Sequence, residues 1–359
     1  MRRRLLVPQE CDQDRPDHGR EIRINYRSMR MFHIFGITLI ASAAAFAQSA
    51  DTGTAHRNAA MALVDSNNRG VAHLACPAEP AAPTAAATPA GGRGGSGGRG
   101  GRGPGGAPPR EQWYQEPQQV FDNLYYLGTK DHTSWGVTTS AGIILIDTLF
   151  GYATKDEIED GLKTLHLDPA NIKILIVTHA HGDHDGGVKY IQDTFKPKVI
   201  MGAKDWAAAA QEASPPRHDE DATDGQKVTL GDTTITIYIT PGHTASTLSL
   251  LVPVRDHGEP HLAMEWGGTA LSLRTTKEML QSYISNAGRF LDIATGAGAD
   301  VVIGNHTEYN DAIGKLAQLK ARLPGDPHVW VIGKEGVRRY LTVAQQCGKA
   351  YMAIAEGRP

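Results

Sequence analysis

Downstream of Trp113 the chain alternates between short apolar or alternating runs and longer stretches with helical spacing. Residues 120–127, 142–147, 172–178, 198–202, 233–240, 247–252, 261–264 and 300–304 are predicted strands, each short and bounded by glycine, proline, aspartate or asparagine. Apolar side chains recur at helical spacing over 155–165, 185–194, 204–212, 277–295, 311–321 and 334–353. Strands interleaved with helices over this span predict one α/β domain whose sheets are covered by helices, assigned to residues 111–359.

Upstream the pattern changes character. The polar segment 1–28 is followed by Met29-Arg30-Met31, the apolar run 32–46, and Ala45-Phe46-Ala47 before Gln48. A basic flank, a hydrophobic region of about fifteen residues and an A-x-A site have the order of a secretory signal peptide. Such a signal acts from the extreme N-terminus, so translation is expected to begin at Met29 or Met31 and cleavage to follow Ala47. Residues 48–76 form an N-terminal arm, in which 59–75 is a predicted short helix with Cys76 at its end. Residues 77–110 are proline, alanine, glycine and arginine with little that is both large and apolar, the composition of a flexible tether.

Composition narrows the function classes. With 40% hydrophobic and 21% charged residues in 359, the chain has material for a substantial core, and disorder throughout is excluded. The apolar run near the start is too short to span a membrane, so a multi-pass membrane protein is excluded and no stable insertion is expected after cleavage. The formal charge of −3 understates the processed chain, which carries 28 basic against 34 acidic residues. An acidic, exported protein is not expected to bind nucleic acid. Three cysteines are too few for a disulfide scaffold.

The chemistry is concentrated after the strand at 172–178. There Thr178-His179-Ala180-His181-Gly182-Asp183-His184 places three histidines and one aspartate within six positions. Alternate residues at a strand end point the same way, so His179 and His181 can share one metal, and the turn at Gly182 swings Asp183 and His184 toward a second. Imidazole and carboxylate suit zinc, and also iron or manganese. Two further histidines, His243 in Thr240-Pro241-Gly242-His243-Thr244 and His306 in Gly304-Asn305-His306, sit where strands are expected to end.

This assembly resembles the metallo-β-lactamase superfamily, whose H-x-H-x-D-H signature is matched in full by His179 to His184. The resemblance runs from about Val120 to Leu323. It implies an αβ/βα four-layer sandwich with two zinc ions at one edge, the first held by His179, His181 and His243, the second by Asp183, His184 and His306. Asp147 matches the family's early aspartate, which usually supports the ligands from behind. Where hydrolases of the glyoxalase, lactonase and ribonuclease-like branches offer a bridging aspartate, this chain reads Glu265-Trp266-Gly267-Gly268-Thr269. Glu265 stands too early to serve as a displaced bridge. Five histidines and one aspartate without a bridge resemble the third lactamase subclass.

The resemblance implies a zinc-dependent hydrolase in which a metal-bound hydroxide, oriented by the catalytic Asp183, opens an amide or ester of a small-molecule substrate. β-Lactam-like compounds are the expected substrates, with a lactone, thioester or other ester as the alternative, and a catalytically inert metal-binding protein as a further one. The expected location is periplasmic or secreted. Ser272 and Arg274 are candidates to recognise a substrate carboxylate, and His132, Trp135 and Tyr309 are candidates for the pocket wall. The remaining histidines lack ligand spacing. Cys76 and Cys347 are a candidate disulfide, which would clamp the arm to the last helix and contribute about 4 kcal/mol if unstrained.

Overall fold

The computed structural model describes residues 52–78 and 107–357. The expected signal segment and the bulk of the expected tether lie outside the described residues. Strands β1 (Gln118–Phe121), β2 (Leu124–Tyr126), β3 (Trp135–Thr139), β4 (Gly142–Ile146), β5 (Ile172–Ile176), β6 (Lys198–Met201) and β7 (Glu220–Asp221) form one sheet in sequence order. Its first four strands are antiparallel and the rest join in parallel. The second sheet holds β8 (Gln226–Leu230), β9 (Thr233–Ile239), β10 (Leu248–Asp256), β11 (Glu259–Glu265) and β12 (Val301–Ile303), antiparallel except for β12 beside β11.

The helices are α1 over 52–61, α2 (Arg69–Ala75), α3 (Arg110–Trp113), α4 (Asp160–Thr164, entered through a π-turn at Lys155–Glu159), α5 (Gly182–Asp185), α6 (Val188–Phe195), α7 (Ala203–Ala209), α8 (Lys277–Ala297), α9 (Ala312–Ala321) and α10 (Gly333–Glu356). Three apolar layers follow from the two-residue period of the strands. Val137, Ile144, Ile146 and Ile176 meet Ile235, Ile237, Leu248 and Leu250 between the sheets. Leu145, Leu175 and Val177 pack outward on Ile158, Leu162, Val188 and Trp206. Leu251 and Met264 pack outward on Tyr283, Phe290, Tyr340 and Leu341 of α8 and α10. The result is the expected αβ/βα sandwich.

Several predicted elements divide where a side chain competes for the backbone. The strand expected over 120–127 is a hairpin that turns at Asp122 and Asn123, with Phe121 opposite Leu124. The helix expected over 185–194 breaks at Gly186 and Gly187. The single helix expected over 59–75 is two helices, because buried Asn68 accepts from Asp65 N and donates to Leu63 O and so forms a turn between them. β3 and β8, rich in threonine, glycine and lysine, carry no clear apolar run and are additions to the predicted strands.

The arm is part of this body. Ala60, Val71, Ala72, Ala75 and Cys76 are buried in the layer over α8 and α10, and Cys76 is disulfide-bonded to Cys347. No helix among the described residues is long and apolar enough to cross a membrane.

One buried charge is expected to weaken the fold. Lys315 of α9 is 4% exposed beneath Trp330, its Nζ has no hydrogen-bond partner, and burial, only partly offset by Asp311, lowers its pKa to about 8. A lysine with a lowered folded pKa binds its proton more tightly when unfolded, so its penalty is full below about pH 8 and fades as pH rises toward the unfolded value near 10.5. Lys315→Met is therefore expected to stabilise the protein at pH 7 by about 2 kcal/mol. Chemical denaturation of both proteins from pH 7 to 10 checks this, and the gap should narrow as pH rises.

Candidate metal centre

The site is assembled at strand ends of both sheets. At the end of β4 the chain turns at Asp147, whose φ is 58° and whose N–H donates to Ile176 O at 2.9 Å. That turn buries the Asp147 carboxylate beneath the end of β5. It accepts Thr178 N–H at 2.7 Å, Thr178 Oγ1–H at 2.8 Å and His184 Nδ1–H at 2.9 Å. With its own proton given to Asp147, Thr178 Oγ1 accepts Nδ1–H of His179 at 3.1 Å. One carboxylate thus fixes the Nδ1 of two histidines as donors, directly for His184 and through Thr178 for His179, which makes Nε2 the ligand atom of each. His243 is set the same way by donating Nδ1–H to Ala270 O at 2.8 Å.

Asp205 ties two of the carrying segments together. Its buried carboxylate accepts from Ser246 Oγ at 2.7 Å, from Thr244 Oγ1 at 3.0 Å and from Ala180 N at 3.4 Å, joining the loop of His243 to the segment between His179 and His181.

Two donor sets result. The ligand atoms of His179, His181 and His243 all lie within 4.8 Å of one another, as do those of His132, Asp183 and His306. His184 Nε2 joins the second set, 3.2 Å from His306 Nε2 and 3.2 Å from Asp183 Oδ2. Zinc with nitrogen and oxygen ligands at 2.0–2.1 Å places tetrahedral donor atoms about 3.3 Å apart. His243 Nε2 and His181 Nδ1 are 3.1 Å apart, and Asp183 Oδ2 and His306 Nε2 are 3.3 Å apart. His179 Nε2 is buried with no hydrogen-bond partner. Lone pairs aimed at one another at these separations, together with an orphaned buried nitrogen, fit a pair of divalent cations.

Charge favours the same use. Burial opposes protonation of every imidazole, and it holds His179, His181 and His306 below the ordinary range and His243 at about 3. At His184 burial acts in the same direction, but Asp183 and Asp147 outweigh it and raise the pKa. Neutral His179, His181, His243 and His306 beside an ionised Asp183 are the protonation states that metal ligation requires, and His184 would give up its proton on ligation.

Asp147→Asn tests the tautomer argument. An asparagine that keeps its oxygen toward Thr178 N turns its NH2 toward His184 Nδ1, which favours the wrong tautomer. A loss of 10- to 100-fold in zinc affinity is expected, read by competition with a chromophoric chelator.

The other sequence candidates fall in different places. Gly268 stands where a bridging residue is expected in other branches, and a Cβ there would lie 2.4 Å from His243 Cβ, so close packing excludes any side chain. Glu265 is fully buried in β11, outside both donor sets, with both oxygens lacking a hydrogen-bond partner, and burial together with Asp147 raises its pKa well above the ordinary range. Ser272 and Arg274 lie on the exposed loop after Ala270, outside the donor sets. Trp135 and Tyr309 do not line an open wall. Trp135 is in the core and donates to Gly304 O, and Tyr309 is 2% exposed with its ring 4.9 Å from that of His306. His132, without ligand spacing in the sequence, enters the second set because the turn before β3 forms a bridge with His306.

A profile described as Metallo-beta-lactamase superfamily matches residues 127–257. The chain is 33% identical to the Beta-lactamase-like protein 2 homolog of Caenorhabditis elegans over 129 residues, 36% of this chain and 39% of that protein. It is 32% identical to a hydroxyacylglutathione hydrolase of Neisseria meningitidis over 80 residues, 22% of this chain and 28% of that enzyme. The chain thus spans well under half the length of these curated relatives. Among solved structures, BJP-1, a subclass B3 metallo-beta-lactamase of Bradyrhizobium japonicum, superposes with a TM-score of 0.54 at 26% identity, covering 64% of this chain and 90% of that one. With the matched profile, the two-sheet sandwich and the H-x-H-x-D-H segment at its edge, the chain has the metallo-beta-lactamase fold and resembles the metallo-beta-lactamase superfamily, in particular its subclass B3.

Proposed function

We propose that this chain is an exported, periplasmic or secreted, dinuclear zinc hydrolase that opens an amide or ester bond, with β-lactam-like compounds as its substrates. The observation that carries the reading is the convergence of two donor sets whose separations match the edges of zinc tetrahedra. In this reading His179, His181 and His243 hold one ion, and Asp183, His184 and His306 hold the other. Bound there, the ions would supply a Lewis acid for the carbonyl and a water acidic enough to attack near neutral pH.

The chain supplies the rest. Asp183 is the one carboxylate within the two donor sets, and it accepts a hydrogen bond from the attacking water and orients it. Asp147 and Thr178 keep His184 and His179 in the tautomers that leave Nε2 unprotonated. Phe150 stacks on Tyr152 and sets its ring edge-on to His132, walling one side of the approach and limiting the entry of bulk water. On the loop after Ala270, exposed Leu273 offers an apolar contact and Arg274 a paired donor for a substrate carboxylate. The region 1–47, translated from Met29 or Met31, acts as the export signal, 48–76 as the arm, 77–110 as the tether and 111–359 as the catalytic domain.

The likeness to a hydroxyacylglutathione hydrolase favours a thioester or lactone as the second reading. A chromogenic cephalosporin is expected to be hydrolysed, with activity lost on chelation and restored by zinc. Turnover of thioesters or lactones alone would support the second reading, and no turnover of any of them by the zinc-loaded protein would leave an inert metal-binding protein.

A further inference from the structure

Resting on the two-metal reading above, we propose that His132 is a fourth protein ligand of the second ion, beside Asp183, His184 and His306. His132 Nε2 lies 3.4 Å from Asp183 Oδ2, the separation of two donors on one zinc tetrahedron. Its donor atom also lies within 4.8 Å of those of both Asp183 and His306. The ring centroids place His306 between its neighbours, 4.8 Å from His132 and 5.1 Å from His184, with His132 and His184 6.4 Å apart. Three imidazoles and one carboxylate are thus gathered in one cluster.

The backbone holds His132 there. His132 N donates to Thr129 Oγ1 at 3.0 Å and Thr129 N to His132 O at 2.8 Å, which closes the turn. The turn is then laced to the His306 segment in both directions, Thr133 N to Asn305 O at 3.0 Å and Thr307 N to Asp131 O at 3.0 Å. Thr307 Oγ1 adds a bond to Lys130 O at 2.6 Å. A side chain carried on a turn whose backbone is held by five hydrogen bonds loses less freedom on ligation than one on a loose loop.

This assignment gives the two ions different characters. Three protein donors leave the first ion an open position, whereas four fill the second as in structural zinc sites. The rival role for His132 is to donate Nε2–H to Asp183 without touching metal.

Zinc titration of the full metal-free chain against a competing chelator separates the two. The unsubstituted protein is expected to take up two equivalents. In His132→Phe, which keeps the ring volume, and in His132→Gln, the second equivalent should bind at least about 100-fold more weakly, with the first equivalent and the melting temperature of the metal-free protein unchanged. In wild-type protein labelled with 15N-histidine, the His132 Nε2 resonance should shift with the second equivalent, a response that needs no substitution to fold. Two equivalents held with wild-type affinity by both variants, or a resonance that ignores the second equivalent, would overturn the assignment. Uptake of a single equivalent by the wild-type chain overturns the two-metal reading itself, and this ligand with it.

Discussion

Asp183→Ala is expected to lower turnover about 1,000-fold while the protein stays folded, a loss of about 4 kcal/mol of transition-state stabilisation. Asp183 lies in the first turn of α5 and is 6% exposed, with Oδ2 3.2 Å from His184, 3.3 Å from His306 and 3.4 Å from His132. Burial alone would raise its pKa, but the charge and hydrogen bonds of His184 and His306 hold it well below the ordinary carboxylate range. That shift favours the ionised form, which in the proposed mechanism makes Asp183 an acceptor and ligand rather than an acid.

Removing it should act at two levels. The second zinc should be lost or weakened, and the attacking water should lose the group that orients it. Asp183→Asn separates these effects from packing, because it keeps the volume and loses the charge. Circular dichroism should be unchanged in both variants, and steady-state kinetics in excess zinc should show kcat falling more than KM rises. Turnover within tenfold of wild type in Asp183→Ala would remove the residue from the chemistry.

The legibility of this centre in sequence follows how local each part is. His179 to His184 lie on one strand end and one turn, so their spacing alone reports convergence. His243 and His306 come from other strands, and they were legible because each follows a recognisable apolar run. His132 was not, since it reaches the centre through backbone pairing with residues far along the chain, and its own neighbours carry no ligand pattern. The reason for the missing bridge was equally hidden. Only the packing of Gly268 against His243 shows that no side chain fits there.

The fold divides along the same line. Long periodic helices and the apolar strands β5, β9 and β10 were clear in outline. Boundaries failed where one side chain redirected the backbone, as Asn68 does between α1 and α2. The arm was the least legible part, because an alanine-rich helix carries little apolar periodicity, and its burial depends on the groove that α8 and α10 provide.

That arm makes the disulfide the largest single contribution to stability open to test. Cys76 and Cys347 are 271 residues apart in sequence, so their bond closes a very long loop in the unfolded chain. Chain entropy alone then gives about 5.6 kcal/mol. Both cysteines are buried, at the end of α2 and within α10, so in the reduced protein the arm still has its apolar contacts but no covalent hold.

The contacts are close ones. A Cβ on Gly70 would lie 1.5 Å from Glu308 O, and His73 meets Glu308 at 3.0 Å, so α2 lies directly on the segment after His306. The double variant Cys76→Ser/Cys347→Ser is expected to melt roughly 10–15 °C lower than the oxidised wild type. It should also become sensitive to proteolysis within the arm before the rest of the domain is cut. Because α2 backs the His306 segment, its zinc affinity should fall more at the second equivalent than at the first. Calorimetry with and without reductant, alongside intact mass under non-reducing conditions, checks the bond directly. Two free thiols, or a melting temperature indifferent to reduction, would show that apolar packing alone holds the arm in place.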